Sequence, residues 1–197
     1  SNAETLSHAK KWAPLTFRRQ DRLVTLGDYE SFVSRYSSPL GGTGIATAAT
    51  MAAYCTANVI NIFVLQKASS NQLQKATIDY KTKLLSAMNK KKMLTDELVI
   101  VDGLIRTLDL IVTLYVDASL QTTEDTIKQI ASKKITDFFS YSNFEFGTTF
   151  PPQVLNRLLF NISEVRFSSI DNVTESIEVE FNEVIQLNNL SINIAYI

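Results

Sequence analysis

The stretch that decides the predicted fold is Ser37-Ser38-Pro39-Leu40-Gly41-Gly42-Thr43-Gly44, which runs directly into the apolar segment 45–66. The sequence contains no charged residue between Arg35 and Lys67. Proline fixes φ and ends an arriving helix, whereas glycine permits positive φ and a close approach of two backbones. We therefore expect a tight turn here, followed by a long buried helix whose N-terminus is capped by Thr43.

This turn has two interpretations, an anion-binding site and a purely structural turn. A helix N-terminus presents unpaired N–H groups and the positive end of the helix dipole, so Gly41, Gly42, Thr43 and Gly44 could bind an anionic ligand. The same residues are also what a plain turn into a core helix requires.

The segment 45–65 is long enough to span a bilayer. It is nevertheless rich in alanine and carries polar side chains, which favour a central helix of a soluble bundle over a membrane span. The polar positions are Thr47, Thr50, Thr56, Asn58 and Asn61. We expect no membrane partner.

Composition restricts the function classes. A net charge of −1 gives no electrostatic case for a nucleic-acid partner. Cys55 and His8 are the only cysteine and histidine, which argues against a disulfide framework, a Cys- or His-based metal site and a Ser-His-Asp triad. We expect a cytoplasmic protein with an N-terminal arm at residues 1–25, which includes a cloning remnant, and one domain at residues 26–197.

The remaining pattern predicts helices. Between Gln72 and Leu120 there is no proline and one glycine, Gly103, and apolar residues recur at roughly helical spacing. The β-branched residues of this region would also permit strands, but the lack of turn residues favours a helix. Shorter helices are expected at 29–36 with Asp28 as cap, from Thr122 to Phe139, from Pro151 to Phe160, and from Val173 to about Leu187, with an extended tail at 190–197. The predicted fold class is all-α, an up-and-down bundle of about five or six helices, two of them long and buried.

Two separated motifs resemble one family. Pro39-Leu40-Gly41-Gly42-Thr43-Gly44 is similar to the Pro-x-Gly-Gly-Gly-Ser motif of the cyclodeaminase-type proteins. These are the cyclodeaminase half of formiminotransferase-cyclodeaminase and the methenyltetrahydrofolate cyclohydrolases. The segment 187–194, Leu-Asn-Asn-Leu-Ser-Ile-Asn-Ile, is similar to that family's closing Leu-Asn-Val-x-Ile-Asn-Leu. The resemblance covers most of residues 26–194, although Thr43 and Gly44 stand where the family has Gly and Ser.

The resemblance implies a helical homodimer that acts on a tetrahydrofolate derivative, as a cyclodeaminase or a cyclohydrolase, with no permanently bound cofactor. Asp102 is then the candidate acid/base residue, because a carboxylate among apolar residues is desolvated. Its alternative role is an i, i+4 ion pair with Arg106. Asn189 and Asn193 are candidate ligand contacts, or else they satisfy backbone groups at a helix end.

Three functions remain open on the sequence. The first is a folate enzyme, and the second is a non-catalytic dimer of the same fold that acts as a binding or structural protein. The third, which depends only on the charge-free stretch, is a membrane-associated or partner-binding helical protein.

Overall fold

The computed structural model describes residues 22–39, 41–51, 58–68, 72–117 and 124–197. Within these ranges the chain forms four helices and seven strands, and the strands lie in two sheets. The predicted all-α bundle is therefore wrong, and the fold is mixed α/β. The chain divides into two compact units, residues 1–69 with 73–103 and residues 70–72 with 104–197.

The sheet of the first unit is built around strand β2 (Asn58–Lys67). Strand β1 (Gly44–Met51) pairs antiparallel with one edge of β2. The other edge is shared by two strands. β3 (Leu73–Lys75) runs antiparallel to the end of β2, and β4 (Asp96–Asp102) runs parallel to its preceding part.

The segment 45–66 was predicted as one helix, but its described parts are strands. In β2 the side chains of Ile60, Ile62 and Val64 are buried and the residues between them are more exposed, which is the period of two of a strand. β-Branched side chains lose χ1 freedom in a helix and pack well on a pleated sheet. The prediction relied on the missing charge and missed this alternation. Residues 52–57 lie outside the described part of the chain.

Two capped helices accompany this sheet. Helix α1 (Leu26–Arg35) begins with a capping box in which Thr25 accepts from the backbone of Asp28, while the Asp28 carboxylate accepts from the backbone of Thr25. The short helix predicted here exists, but Thr25 and not Asp28 is its N-cap. Helix α2 (Ile78–Asn89) has Thr77 as its N-cap, and the Thr77 hydroxyl accepts from the backbone of Tyr80.

The core of the first unit joins both helices to one face of the sheet, because a single buried cluster contains side chains from α1, α2, β1, β2 and β4. Its largest members are Tyr29, Ile62, Tyr80, Leu84 and Met88. Of the predicted N-terminal arm, residues 1–21 lie outside the described residues. Leu23 is buried and bridges to Lys92.

The sheet of the second unit has three strands. Strand β5 (Leu104–Val116) is central, with β6 (Val165–Ile170) antiparallel on one side and β7 (Glu183–Tyr196) parallel on the other. Along β5, Leu110, Val112, Leu114 and Val116 are buried and the residues between them are not. This alternation explains why a segment predicted as helix forms a strand.

Two helices complete the second unit, and both were expected. Helix α3 (Glu124–Phe138) lies within the predicted helix from Thr122 to Phe139, and it buries Ile127, Ala131 and Ile135 on one face. Thr122, the predicted start of this helix, lies outside the described residues. Helix α4 (Pro152–Phe160) begins at the predicted proline pair. The aromatic side chains beside these helices pack together with ring centroids 5.0 to 6.2 Å apart, and they are Phe138, Phe139, Phe144 and Phe150.

The predicted final helix from Val173 to about Leu187 is wrong. Strand β7 begins at Glu183 and incorporates the expected extended tail as its second half. Upstream of β7, Ile177 makes an isolated antiparallel bridge with Phe150.

None of the helices within the described ranges combines the length and the apolar character needed to cross a membrane.

Candidate interaction surface

The glycine turn leads into a strand. Gly41 has a φ of 86°, and the turn is closed by bonds from Gly41 N to Ser38 O (2.7 Å) and from Ser38 N to Gly42 O (2.8 Å). The carbonyl of Thr43 accepts a bond from Lys67 N at 2.8 Å, and β1 begins at the next residue. The helix N-terminus on which the predicted anion site depended is therefore absent from the turn.

Gly42 and Gly44 allow a close approach to Tyr80 of α2. A Cβ atom on Gly44 would lie 2.7 Å from the carbonyl oxygen of Leu65 and 2.9 Å from the Tyr80 hydroxyl, and one on Gly42 would lie 3.2 Å from the Tyr80 ring. The Tyr80 hydroxyl is buried and makes no hydrogen bond within the described residues. Burial, with a smaller contribution from Tyr36, raises the pKa of Tyr80. The glycines thus serve packing.

Asp102 lies at the end of β4, where it pairs in register with Val64. Its Oδ1 is 2.7 Å from Nζ of Lys81 on α2, and both side chains are partly exposed. Asp102 thus pairs with Lys81 and not with the alternative partner Arg106, whose guanidinium donates to the carbonyl of Glu178. The acid/base role of Asp102 stays a prediction, while the observed contact ties α2 to the sheet.

Asn189 and Asn193 lie in the second unit, on the exposed side of β7. At a register shift in β5, Asp109 Oδ1 accepts from the backbone of Asn189 at 3.1 Å and from the side chain of Asn188 at 2.9 Å. These contacts join β7 to β5. The predicted ligand residues therefore divide between the two units, with the glycine turn and Asp102 in the first.

A buried polar pair in the first unit joins Tyr29 to Asp96. The Tyr29 hydroxyl donates to Asp96 Oδ2 at 2.7 Å, and both residues are buried. Burial, followed by the bond to the Asp96 carboxylate, raises the pKa of Tyr29. The sequence pattern gave no sign of this pair, since the two residues are far apart in the chain.

No group of three or more His, Cys, Asp or Glu side chains suited to a metal ion occurs in the part of the chain that the structure describes.

The most distinctive surface is the edge of β7. This strand is 14 residues long and pairs with β5 on one side, and no described strand pairs with its other side. The sequence from Val184 to Ile197 contains no charged residue and no proline. An edge of this kind presents free N–H and C=O groups to another chain. The alternation of Leu190, Ile192 and Ile194 with polar residues is a sequence signal for a half-buried strand, but not for its position at the edge.

A groove of about 620 Å³ lies between this strand and α3. Leu190 and Ile192 form its strand side, and the polar face of α3 forms the opposite wall. We refer to it as the β7–α3 groove. The charged residues along its helical wall are Asp125, Lys128, Lys133 and Asp137.

No family model and no curated protein matches the chain. A solved structure does: a chain in the cryo-EM structure of the anti-feeding prophage baseplate, 6-fold symmetrised, matches with a TM-score of 0.56 at 10% sequence identity. The match covers 94% of this chain and 42% of the baseplate chain. At this identity the likeness shows the fold alone, and this chain spans less than half the length of its structural neighbour.

Proposed function

We propose that this chain is a structural subunit of a phage-tail-like baseplate. The carrying observation is the likeness to the baseplate chain, which extends over 94% of the present chain. A shared fold does not by itself fix a function, so the surface must supply the second argument.

The surface of the second unit supports a role in assembly. It combines the edge of β7 with which no described strand pairs, and several exposed large side chains, of which Phe160, Phe167 and Tyr196 are more than half exposed. Exposed apolar side chains and free strand edges are what subunit interfaces cover. In this proposal the chain contributes shape and binding surfaces to an assembly that forms in the cytoplasm, the compartment expected from its single cysteine.

The folate reaction stays a prediction and is not the function that we propose. The resemblance implied it through an all-α bundle, and the chain folds instead around two sheets. The predicted homodimer likewise stays a prediction. The second sequence-based hypothesis, a binding or structural protein, agrees with the proposal in function but not in its helical architecture.

The test uses the full chain in cells that produce particles with such a baseplate. An affinity tag on the chain is labelled with nanogold, and purified particles are imaged by electron microscopy. The proposal predicts gold at one end of the particles, and particles from cells with the untagged chain serve as the control. Recovery of the tagged chain only as free protein, with unlabelled particle ends, would contradict it.

A matched variant separates the structural role from the enzymatic one. Deleting the gene should abolish particle assembly, and Asp102→Asn should restore it fully, because the variant removes only a partly exposed ion pair. A folate enzyme that uses Asp102 predicts the opposite, namely a loss that follows the carboxylate. Titration with a methenyl folate, followed by absorbance, gives the corresponding direct readout.

A further inference from the structure

The outer edges of the two sheets differ in how they are protected. On β1, the Glu30 carboxylate accepts bonds from the backbone N–H of Ala48 at 2.9 Å and from the Thr47 hydroxyl at 3.2 Å, so a charge occupies that edge. The edge strand β6 is only six residues long. Charges and short lengths are the usual means of preventing unwanted pairing. β7 has neither, since it is long and uncharged from Val184 onward.

The helical wall of the β7–α3 groove is long enough for an extended polypeptide. This wall runs from Asp125 to Asp137, which is about 18 Å along the axis at the helical rise per residue. At the rise of a strand, this length accommodates about six residues. Backbone pairing with β7 would place such a segment in the sheet plane, with alternate side chains directed under α3.

The wall also specifies a charge order. Along α3 the groove presents Asp125, Lys128, Lys133 and Asp137, in the order negative, positive, positive, negative. Lys128 and Lys133 are separated by about 7.5 Å along the axis, close to the spacing of about 6.7 Å between alternate residues of a strand. They are also about 140° apart around the axis, so their side chains reach the groove from the two sides of its helical wall. Lys128 also lies 3.6 Å from Glu124, but both side chains are exposed and such a pair is weak.

We propose that the β7–α3 groove binds an extended segment of another protein, which adds a fourth strand to the sheet along β7 and places two acidic side chains opposite Lys128 and Lys133. Naming that protein a neighbouring subunit rests on the proposed function. A second copy that paired through its own β7 fits less well, because that strand from Val184 to Ile197 carries no acidic side chain for the two lysines.

A synthetic peptide provides the probe. Acetyl-Lys-Val-Glu-Val-Glu-Val-Lys-amide carries the complementary order, positive, negative, negative, positive, on one face. This order reads the same in both directions, so the peptide can pair parallel or antiparallel. Its matched control is Acetyl-Glu-Val-Lys-Val-Lys-Val-Glu-amide, which has the same composition and net charge in the opposite order.

Fluorescence anisotropy with the full chain should show binding of the first peptide at least tenfold tighter than binding of the second, because every facing pair changes sign. Lys133→Glu should weaken the first peptide at least fivefold. Lys90→Glu, the same charge change at an exposed lysine outside the groove, should leave it unchanged. Equal binding of the two peptides, or no binding of the first, overturns the proposal.

Strand addition has its own signature. N-methylation removes a backbone donor, and in a strand alternate N–H groups point to opposite edges. We expect N-methylation of one alternate set of peptide residues to abolish binding, while N-methylation of the other set leaves it within threefold. Loss with both sets, or with neither, overturns the strand geometry.

The oligomeric state tests the competing occupant. A stable dimer in analytical ultracentrifugation, with β7 amides protected from hydrogen exchange in the dimer only, would assign the groove to a second copy and overturn the proposal. Peptide binding without gold-labelled particle ends would leave the groove assignment standing and remove the baseplate role. The reverse result would remove only the groove assignment.

Discussion

Replacement of Gly44 by alanine tests why the glycine turn has its sequence. The added Cβ would lie 2.7 Å from the Leu65 carbonyl oxygen and 2.9 Å from the Tyr80 hydroxyl, whereas real Cβ contacts essentially never fall below 3.0 Å. The Leu65 oxygen belongs to the central strand β2, and Tyr80 is 1% exposed, so neither atom can move freely. We expect Gly44→Ala to lower the free energy of unfolding by about 1–3 kcal/mol, the usual cost of overpacking.

Gly27→Ala is the matched control, because the same methyl group is added without the contact. Gly27 lies in α1, and its added Cβ would meet only the Thr25 hydroxyl at 4.0 Å. Alanine is the better helix former, so this variant should be unchanged or more stable by up to about 1 kcal/mol. Urea denaturation followed by circular dichroism gives both free energies, and hydrogen exchange of β1 and β2 localises the loss. Equal stability of the two variants would refute the steric argument.

The remaining predictions concern buried side chains. Phe150→Ala should cost about 3–5 kcal/mol because Phe150 is fully buried, while Phe160→Ala, at an exposed position, should stay within about 0.5 kcal/mol by the same urea measurement. Tyr29→Phe should cost about 1–3 kcal/mol by removing the donor to buried Asp96, whereas Tyr80→Phe, whose hydroxyl has no described partner, should cost nothing; equal costs would contradict this. Both tyrosines have pKa values raised above 10.0 in the folded chain, so the unfolded chain releases their protons first. The free energy of unfolding should therefore be constant below that pH and fall as pH rises through it, by up to about 1.4 kcal/mol per pH unit for each tyrosine. Thermal melts from pH 8 to 11.5 check this, and a flat profile argues against it.

Local signals in the sequence predicted those helices whose ends are marked by proline or by capping residues. The proline pair predicted the start of α4, and the predicted helix from Thr122 to Phe139 contains α3. Such signals depend on residues within a few positions of each other, and they act before any tertiary contact.

The strands were not predicted because the alternation of buried side chains that identifies them is a weaker signal than the helix end markers. Ile60, Ile62 and Val64 alternate with residues that are also apolar or neutral, so the period of two is masked when both faces tolerate apolar side chains. Pairing partners are also remote: β2 joins β4 across α2, and β5 joins β7 across both helices of the second unit. Helix propensity read from one segment cannot include the stabilisation that a distant strand supplies.

The candidate site also depends on contacts between segments that are distant in the chain. The turn glycines were predicted as a ligand site, and the close approach that the structure shows at Gly44 is by Tyr80 and the Leu65 backbone. The groove beside β7 depends on the order of the strands in the sheet, and no local stretch of sequence specifies that order.

The two charge-free stretches of this chain have different structural meanings. Strand β2 has partners on both edges and buries Ile62 and Val64 completely, so the absence of charge from Asn58 to Gln66 follows from its interior position. β7 is equally free of charge from Val184 onward, yet one of its edges has no partner among the described strands. An uncharged strand at the edge of a sheet has no charge to prevent pairing, and it exposes backbone N–H and C=O groups when the chain is alone. That exposure is removed when another chain supplies the next strand, and this is the physical reason to look for the function of the second unit in assembly.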